Sequence, residues 1–227
     1  MLALTLPIGN SQRLLAVGDI HGCRAALREL LGRVAPTEDD QLVFLGDYID
    51  RGPDSAGVVD DLLALRDRLP GTVLLRGNHE QMLLDVLAGV SPLNFLVNGG
   101  GQTIASYRKG GGWPPPLAHQ DFFASLLPLY ASGEFIFVHA GLRPGIPLAE
   151  QSPDDLLWIR EDFLTAEVDW GKTVVFGHTP LEKPLLTPER IGLDTGCVYG
   201  GRLTCCDVST RQIWQVMGQK AGLGARN

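Results

Sequence analysis

The sequence is poor in the features that mark several classes of protein. It has four cysteines among 227 residues, and Cys205 and Cys206 are adjacent. Neighbouring residues of a strand point to opposite faces, so this pair forms neither a C-x-x-C zinc motif nor a disulfide framework. We therefore expect all four cysteines, including Cys23 and Cys197, to be reduced thiols, as is usual in the cytosol.

Long apolar runs and clusters of basic residues are also missing. No run reaches the roughly 18 apolar residues that span a bilayer. The first stretch is interrupted by Pro7 and Gly9 and lacks a basic start, unlike a signal peptide. With a net charge of -7 and no tract of Lys or Arg, the chain lacks the footprint of a nucleic-acid binder. We expect a cytoplasmic protein that binds neither membranes nor nucleic acids; the sequence predicts no particular oligomeric state.

Five apolar runs, each ending in polar residues, dominate what is present. They lie at 13–22, 41–52, 72–80, 135–141 and 173–180. Runs of this length, rich in β-branched and aromatic residues, predict strands buried on both faces of a sheet. Helical patterns at 24–33, 54–69 and 80–87 follow the first three runs, which favours an α/β fold with crossover connections. Because ligands collect beyond the carboxyl ends of such strands, we expect the five polar tips to converge.

The chain length predicts one domain over 1–227, with its core at 11–217 and a frayed tail at 218–227. Residues 91–130 are rich in Gly and Pro and predict a loop-bearing excursion around a short helix. This excursion either caps the site or is a tolerated surface loop. The C-terminal stretch 191–216 predicts three short strands in an antiparallel meander.

The polar tips carry most of the histidines in the chain. Four of the five histidines lie there, namely His21, His79, His139 and His178. The same tips hold Asp19, Asp47, Asp50 and Asn78. One isolated histidine is most often a structural residue, but four at equivalent positions beside carboxylates favour a metal centre.

The spacing of these residues supports that interpretation. Asp19 and His21 are two positions apart, so on an extended chain they point the same way and can hold one ion. Asp47 supplies a carboxylate suited to lie between two cations. A more neutral second set of ligands is Asn78, His139 and His178. Imidazole and carboxylate ligands without thiolate suit Mn, Fe, Zn, Ni or Co. Two divalent ions roughly 3.5–4 Å apart activate water and hold the oxygens of a displacement at phosphorus.

The motifs GDIHG, GDYIDRG and GNHE, followed by HAG and GH, resemble the bacterial type of metal-dependent phosphoprotein phosphatases. These belong to the calcineurin-like metallophosphoesterase superfamily, and the resemblance covers residues 17 to about 199. It implies a sandwich of two mixed β-sheets flanked by helices, with a dinuclear centre at the edge of the sheets. It also implies that Asp19 and His21 hold one metal and that Asp47 bridges. Asn78, His139 and His178 would hold the second metal, with Mn²⁺ the most expected ion.

His79 is the candidate acid of this site. If Asn78 faces a metal on an extended chain, its neighbour His79 faces the substrate. There His79 can protonate the departing alkoxide or phenoxide. Asp50 can bond the far nitrogen of His79 and stabilise its protonated form. The resemblance implies the same two roles; the alternative for Asp50 is a turn residue.

Two arginines are candidates for binding the substrate phosphate. Arg51 matches the phosphate-binding arginine of the family, and Arg160 resembles the second arginine of bacterial members. For each, the alternative is a structural ion pair. Arg76 and Arg143 are further candidates for which a solvated or paired role is favoured. Tyr199 either lines the pocket or packs in a turn.

Taken together, these residues predict a metal-dependent phosphomonoesterase that acts on phosphoserine and phosphothreonine in proteins, with phosphotyrosine as a further candidate. A metal-activated hydroxide would attack phosphorus directly, and small phosphoesters would also be accepted. The first alternative is hydrolysis of dinucleoside polyphosphates. It is disfavoured because that branch tends to replace the residues found here as Asp50 and Glu80. The second alternative, a catalytically silent scaffold, is disfavoured because every metal ligand is present.

Overall fold

The structure, a computed structural model, describes residues 13–218. Ten strands lie within them: β1 (Leu14–Val17), β2 (Gln41–Phe44), β3 (Thr72–Leu74), β4 (Leu129–Ser132), β5 (Phe135–Val138), β6 (Thr173–Phe176), β7 (Leu185–Leu186), β8 (Arg190–Gly192), β9 (Arg202–Asp207) and β10 (Gln212–Met217). Of the predicted tail, only Gly218 belongs to the described residues, and positions 11 and 12 of the predicted core lie outside them.

Eight helices connect these strands. They are α1 (Arg24–Val34), α2 (Ser55–Arg68), α3 (Asn78–Leu87), α4 (Leu93–Phe95), α5 (Gly101–Gly110), α6 (Leu117–Ser125), α7 (Pro153–Trp158) and α8 (Glu161–Leu164). A wide turn at Leu96–Gly100 joins α4 to α5, and short 3₁₀ turns occupy Leu148–Glu150 and Cys197–Tyr199. Across residues 13–218, no helix has the length and apolar character needed to cross a membrane.

The strands form two mixed sheets of five strands each. The first sheet has the order β10-β9-β1-β2-β3. Strands β1, β2 and β3 are parallel to one another, β9 is antiparallel to β1, and β10 is antiparallel to β9. The second sheet has the order β4-β5-β6-β8-β7, with β5, β6 and β8 parallel. Antiparallel strands β4 and β7 close its two edges.

The two sheets pack face to face because their central strands are apolar on both sides. In β1, Leu14 and Ala16 face the second sheet and share a buried cluster with Phe137 of β5. Leu15 and Val17 point the other way, into a cluster with α1, α2 and α3. A third cluster fills the space between the outer face of the second sheet and α7 and α8. The sandwich of two mixed sheets flanked by helices, which the resemblance implied, is confirmed.

Each predicted apolar run contains a strand, but these strands are only three or four residues long. The polar ends of the runs therefore lie in turns or in a helix. The third predicted helix begins at Asn78, not at Glu80. Asn78 and His79 consequently belong to the first turn of α3, and the extended conformation expected for them was wrong.

The three-stranded meander predicted near the C-terminus was also wrong. Its first strand, β8, pairs with β6 and β7 in the second sheet. Only β9 and β10 form an antiparallel hairpin, and they belong to the first sheet. The chain crosses from one sheet to the other through the 3₁₀ turn at Cys197–Tyr199. Alternation of side chains predicts a strand but does not indicate which sheet it joins, so the sequence pattern missed this crossing.

The excursion at 91–130 holds three helices, where the sequence predicted one. Its glycines mark the breaks between them, because Gly99 and Gly111 adopt φ values of 100° and 139° that favour glycine. His119 of α6 ties these helices to α2, since its ring lies 2.9 Å from the Tyr107 hydroxyl and 3.1 Å from an Asp60 carboxylate oxygen. This histidine, the one outside the predicted site, has a structural role.

Candidate active site

The predicted site residues converge where the two sheets meet. Asp47, in the turn after β2, lies at the centre. Its Oδ2 is 3.4 Å from Nε2 of His21, and its Oδ1 is 3.4 Å from Nε2 of His139. Two groups have ligand atoms within 4.8 Å of one another: His21, Asp47 and His79, and Asp47, His139 and His178. Asp47 belongs to both groups, so its two oxygens face two neighbouring positions where an ion can bind.

The backbone orients His21 and His139 toward Asp47. Nδ1 of His21 donates to the carbonyl oxygen of Ile49, and Nδ1 of His139 donates to that of Leu45, both at 2.8 Å. With the proton held on Nδ1, the Nε2 lone pair of each ring faces the site, as in metal-binding histidines. Burial lowers the pKa of His21 to about 3, so this ring is neutral and its Nε2 lone pair can bind a metal ion.

Asn78 completes the second group. Its Oδ1 lies 2.9 Å from Nε2 of His139 and 3.0 Å from Nδ1 of His178. Burial lowers the pKa of His178 to about 2 and also lowers the pKa of His139, so both rings are neutral. The amide oxygen and the Nε2 lone pair of His139 are both acceptors, and acceptors meet at such distances when they share a cation. The donor set therefore fits a divalent metal ion.

The buried carboxylates of the site point to the same conclusion. Asp19, Asp47 and Asp194 are each at most 5% exposed. Burial, together with the neighbouring Asp194 and Asp47, holds the pKa of Asp19 well above its usual range. Burial also raises the pKa of Asp194, to about 6. Carboxylates gathered away from water need nearby positive charge. Metal ions of the kind predicted here would supply that charge.

Asp19 and His21 do not share the extended geometry that the sequence analysis assumed. β1 ends at Val17, and His21 has a φ of 46°. Both oxygens of Asp19 accept the backbone N–H of His178, at 3.2 and 3.1 Å, and Asp19 is in neither of the two groups. The extended conformation assumed for this spacing was therefore wrong. Both side chains are buried at the site, and their binding of one ion stays a prediction.

The backbone of the site is strained. Seven non-glycine residues among 13–218 have positive φ, and five of them are predicted site residues: His21, Asp47, Asp50, Arg51 and His178. Such conformations cost about 1–3 kcal/mol each and persist where the surroundings enforce them, typically at functional sites.

Asp50 and His79 form a buried pair. Oδ2 of Asp50 lies 2.6 Å from Nδ1 of His79, so the predicted bond to the far nitrogen is present. Both side chains are fully buried, and Nε2 of His79 has no hydrogen-bond partner among the described residues. Burial alone lowers the pKa of His79, but Asp47 and Asp50 outweigh it and raise the pKa above its usual value. In the first turn of α3, consecutive residues point in different directions, so Asn78 and His79 still face different partners.

Glu80 holds the turn after β2 in place. One of its oxygens accepts the backbone N–H groups of Tyr48 and Ile49, and the other accepts those of Asp47 and Gly77. Burial raises the pKa of Glu80 to about 8. Four N–H donors on two oxygens nevertheless require the ionised carboxylate, because a protonated oxygen would face a donor. The sequence analysis placed Glu80 at the start of a helical pattern and assigned it no part in this turn.

Replacing Glu80 with glutamine is expected to lower the free energy of unfolding by about 3 kcal/mol, because an amide NH₂ would face two backbone N–H donors. Denaturant unfolding of the metal-free protein measures the change. The control is Glu38→Gln at an exposed glutamate, which should shift stability by less than about 0.5 kcal/mol. Equal unfolding midpoints for the two variants would show that Glu80 does not hold this turn.

Arg51 and Arg160 differ in how firmly they are held. Nη1 of Arg51 donates to Nε2 of His21 at 2.7 Å, and its guanidinium lies 5.7 Å from the centre of the Tyr199 ring. Tyr199 is 54% exposed beside it. Arg160 is exposed, and its guanidinium makes no hydrogen bond or ion pair with any residue from 13 to 218. It is near enough to lower the pKa of His139 and His178 by charge repulsion, although burial is the larger cause for both.

The two alternate arginines have structural partners. Arg76 donates to the side chain of Gln81 and to the carbonyl oxygens of Ala124 and Leu126. Arg143 pairs with two carboxylates, Asp155 and Asp162. Of the solvated or paired role favoured for both, the ion pairs of Arg143 confirm the paired one, whereas Arg76 is hydrogen-bonded to neutral groups.

Two residues of the site escaped the sequence analysis. Asp194 follows β8 and is buried next to Asp19. The sequence pattern that could have indicated Asp194 is an acidic residue directly after a short apolar run, just as polar residues end the five runs predicted as strands. Thr103 of α5 bonds the Asp50 carboxylate at 2.6 Å. No sequence pattern marks a single threonine in a Gly-rich excursion, so this residue was not predictable.

Known proteins are similar to this chain over most of its length. Bis(5'-nucleosyl)-tetraphosphatase PrpE (asymmetrical) of Geobacillus thermodenitrificans is 33% identical over 222 residues, which cover 83% of this chain and 87% of that protein. Serine/threonine-protein phosphatase 1 of Salmonella typhimurium is 34% identical over 207 residues, covering 86% and 91%. Relatives named for two different substrates are thus about equally similar to the chain.

A solved structure shows the same fold over nearly the whole chain. It is provisionally described as a diadenosine tetraphosphatase and matches with a TM-score of 0.73 and 29% identity, covering 96% of this chain and all of that one. The family model described as calcineurin-like phosphoesterase matches residues 12–213. The chain therefore belongs to the calcineurin-like phosphoesterase family.

Proposed function

We propose that this phosphoesterase is a metal-dependent phosphomonoesterase that hydrolyses phosphoserine and phosphothreonine in proteins. The observation that carries the proposal is the buried Asp50–His79 pair, in which Nε2 of His79 has no partner among the described residues. Phosphotyrosine and small aryl phosphates are further substrates of the same chemistry.

The donor set supports two divalent ions, with Mn²⁺ as the favoured metal and Fe, Zn, Ni or Co as alternatives. His21 and Asp47 would hold one ion together with Asp19, and Asn78, His139 and His178 would hold the other with Asp47. Such ions lower the pKa of water and offset charge on the phosphoryl oxygens. The neutral imidazoles and the strained turns keep these ligands facing one another without rearrangement.

His79 is the proposed acid for the leaving group. Its Nδ1 is bonded to Asp50, so its free Nε2 can give a proton to the departing oxygen. The alkoxide of serine or threonine is a strong base and leaves poorly without a proton. A nucleotide that leaves through a phosphate oxygen, whose pKa is about 6, needs no such help. The intact pair therefore favours a phosphomonoester substrate.

Arg51 and Arg160 are the proposed ligands of the phosphoryl oxygens. Arg51 already lies beside His21 at the first group of metal-ligating residues. Arg160 has no partner of its own among the described residues and is exposed near the second group. Guanidinium groups bind phosphate oxygens in pairs of parallel hydrogen bonds, so two arginines can grip the dianion from both sides.

Hydrolysis of dinucleoside tetraphosphates is the second candidate. The PrpE relative and the solved structure at 29% identity both carry names of this kind. The exposed ring of Tyr199 beside Arg51 offers a surface on which a nucleobase could stack.

The four cysteines are buried and form no disulfide. Cysteines without disulfides are usual where the cell keeps thiols reduced. This supports a cytoplasmic setting for the proposed activity.

Initial rates on three substrates test the proposal. With Mn²⁺ supplied, the protein is expected to hydrolyse a phosphoserine peptide and para-nitrophenyl phosphate with higher kcat/KM than diadenosine tetraphosphate. The reverse order would replace the proposal with the second candidate. Metal binding without activity on any of the three would indicate the catalytically silent scaffold.

A further inference from the structure

Thr103 contacts the side of Asp50 that faces away from His79. The threonine is fully buried in α5, the central helix of the excursion. Its hydroxyl donates to Oδ1 of Asp50 at 2.6 Å and accepts the backbone N–H of Asp50 at 2.9 Å. The other carboxylate oxygen, Oδ2, is bonded to His79. Thr103 therefore fixes both the backbone and the carboxylate of one residue.

Ser55 completes this arrangement. Its hydroxyl lies 2.9 Å from that of Thr103 and 3.1 Å from the backbone nitrogen of Asp50. A hydroxyl has one proton to donate. The proton of Thr103 goes to the Asp50 carboxylate, so Ser55 donates to Thr103. The donor and the acceptor of each hydrogen bond made by the two hydroxyls are then defined.

The excursion also holds the next residue of the chain. The carbonyl oxygen of Gly99 accepts the backbone N–H of Arg51 at 3.1 Å. Asp50 and Arg51 have φ values of 72° and 65°, which are costly unless the surroundings enforce them. The segment from Gly99 to Thr103 therefore supports both strained residues from outside the two sheets.

We propose that Thr103 is a positioning residue for the reaction, which acts through Asp50 on the orientation of the His79 ring. Thr103 does not touch the substrate. It prevents the Asp50 carboxylate from rotating away from Nδ1 of His79, so that Nε2 stays directed into the site. This inference rests on the proposed phosphomonoesterase function, in which His79 protonates the leaving group.

Thr103→Val tests the inference, because valine keeps the branched shape and removes the hydroxyl. On a phosphoserine peptide, kcat is expected to fall about 10- to 100-fold, the usual loss when the partner of a functional side chain is removed. On para-nitrophenyl phosphate, whose phenol leaves without a proton, kcat should change by less than about 3-fold. KM should not change on either substrate. Thr103→Ser retains the hydroxyl and is expected to restore most of the loss.

Ser106→Ala is the matched control. Ser106 lies on the same helix and links it to α2 through Ala56 and Asp54, without contact to Asp50. If α5 only stabilises the fold, Ser106→Ala and Thr103→Val should each lower kcat on the peptide and on para-nitrophenyl phosphate by the same factor. That result would overturn the inference. Should Thr103→Val not fold, Ser55→Ala removes the donor to Thr103. The inference then requires that Ser55→Ala lower kcat on the peptide more than on para-nitrophenyl phosphate. Equal losses of kcat on the two substrates would overturn it.

Combining Thr103→Val with His79→Ala distinguishes a failure of the inference from a failure of the proposed function. In the His79→Ala background Thr103→Val should have no further effect on kcat, and an independent effect would overturn the positioning role. If His79→Ala shows a selective loss on the peptide but Thr103→Val does not, the inference fails and the proposed function stands. If the unmodified protein hydrolyses neither ester, both fail.

Discussion

Replacing His79 with alanine is expected to lower kcat on a phosphoserine peptide by about 10²- to 10⁴-fold, the usual contribution of an acid or base to catalysis. The same variant should lose far less on para-nitrophenyl phosphate, because nitrophenolate departs readily without a proton. The reason is geometric: Asp50 binds one nitrogen of His79, and the other is buried without a partner among the described residues.

Steady-state rates on the two substrates, together with metal content, measure this effect. The metal content should remain near that of the unmodified protein, since His79 is not one of the proposed ligands of either ion. His119→Ala is the control, because this buried histidine bonds Tyr107 and Asp60 away from the site. Its kcat per folded molecule should be unchanged. Equal losses on both substrates by His79→Ala would contradict the role of an acid.

Asp47→Asn is expected to abolish metal binding and activity together. The two oxygens of Asp47 face His21 and His139, so an amide would lose the negative charge and turn one NH₂ toward a neutral imidazole. Metal affinity should fall by more than about 100-fold, beyond the loss seen when a residue that only supports a ligand is changed.

Thermal unfolding with and without Mn²⁺ measures the effect of Asp47→Asn on metal binding. A metal at 100 times its dissociation constant stabilises the folded state by about 2.7 kcal/mol, and Asp47→Asn should show none of this shift. The control is Asp39→Asn at an exposed position, which should retain it. Stabilisation by Mn²⁺ that survives in Asp47→Asn would show that the metal binds elsewhere.

The positions of the site residues were predictable because sheet topology is simple. Polar residues after parallel strands meet at one edge, so His21, Asp47, His139 and His178 were expected together from the strand pattern alone. The sequence of motifs also indicated the second sheet, through the family resemblance. What these patterns share is that they depend on the order of strands and not on the conformation of any single residue.

The local geometry was not predictable, because it depends on the backbone of individual turns. His21 and Asp47 have positive φ, which their residue types do not announce. Asn78 and His79 follow Gly77 into a helix, and nothing in GNHE distinguishes the end of a strand from the start of a helix. The support of Asp50 by Thr103 joins residues 53 positions apart, a contact that only the folded chain reveals.

The position of the site between the two sheets has a consequence for the whole fold. Asp19, after β1 of the first sheet, meets His178, after β6 of the second, across 159 residues of sequence, and Asn78 meets His178 across 100. Ions held by both sheets would close these long loops as non-covalent cross-links. A cross-link stabilises more when the loop that it closes is longer, as disulfides illustrate. In a chain whose four cysteines form no disulfide, the proposed metals would therefore tie the sheets together as well as serve the reaction.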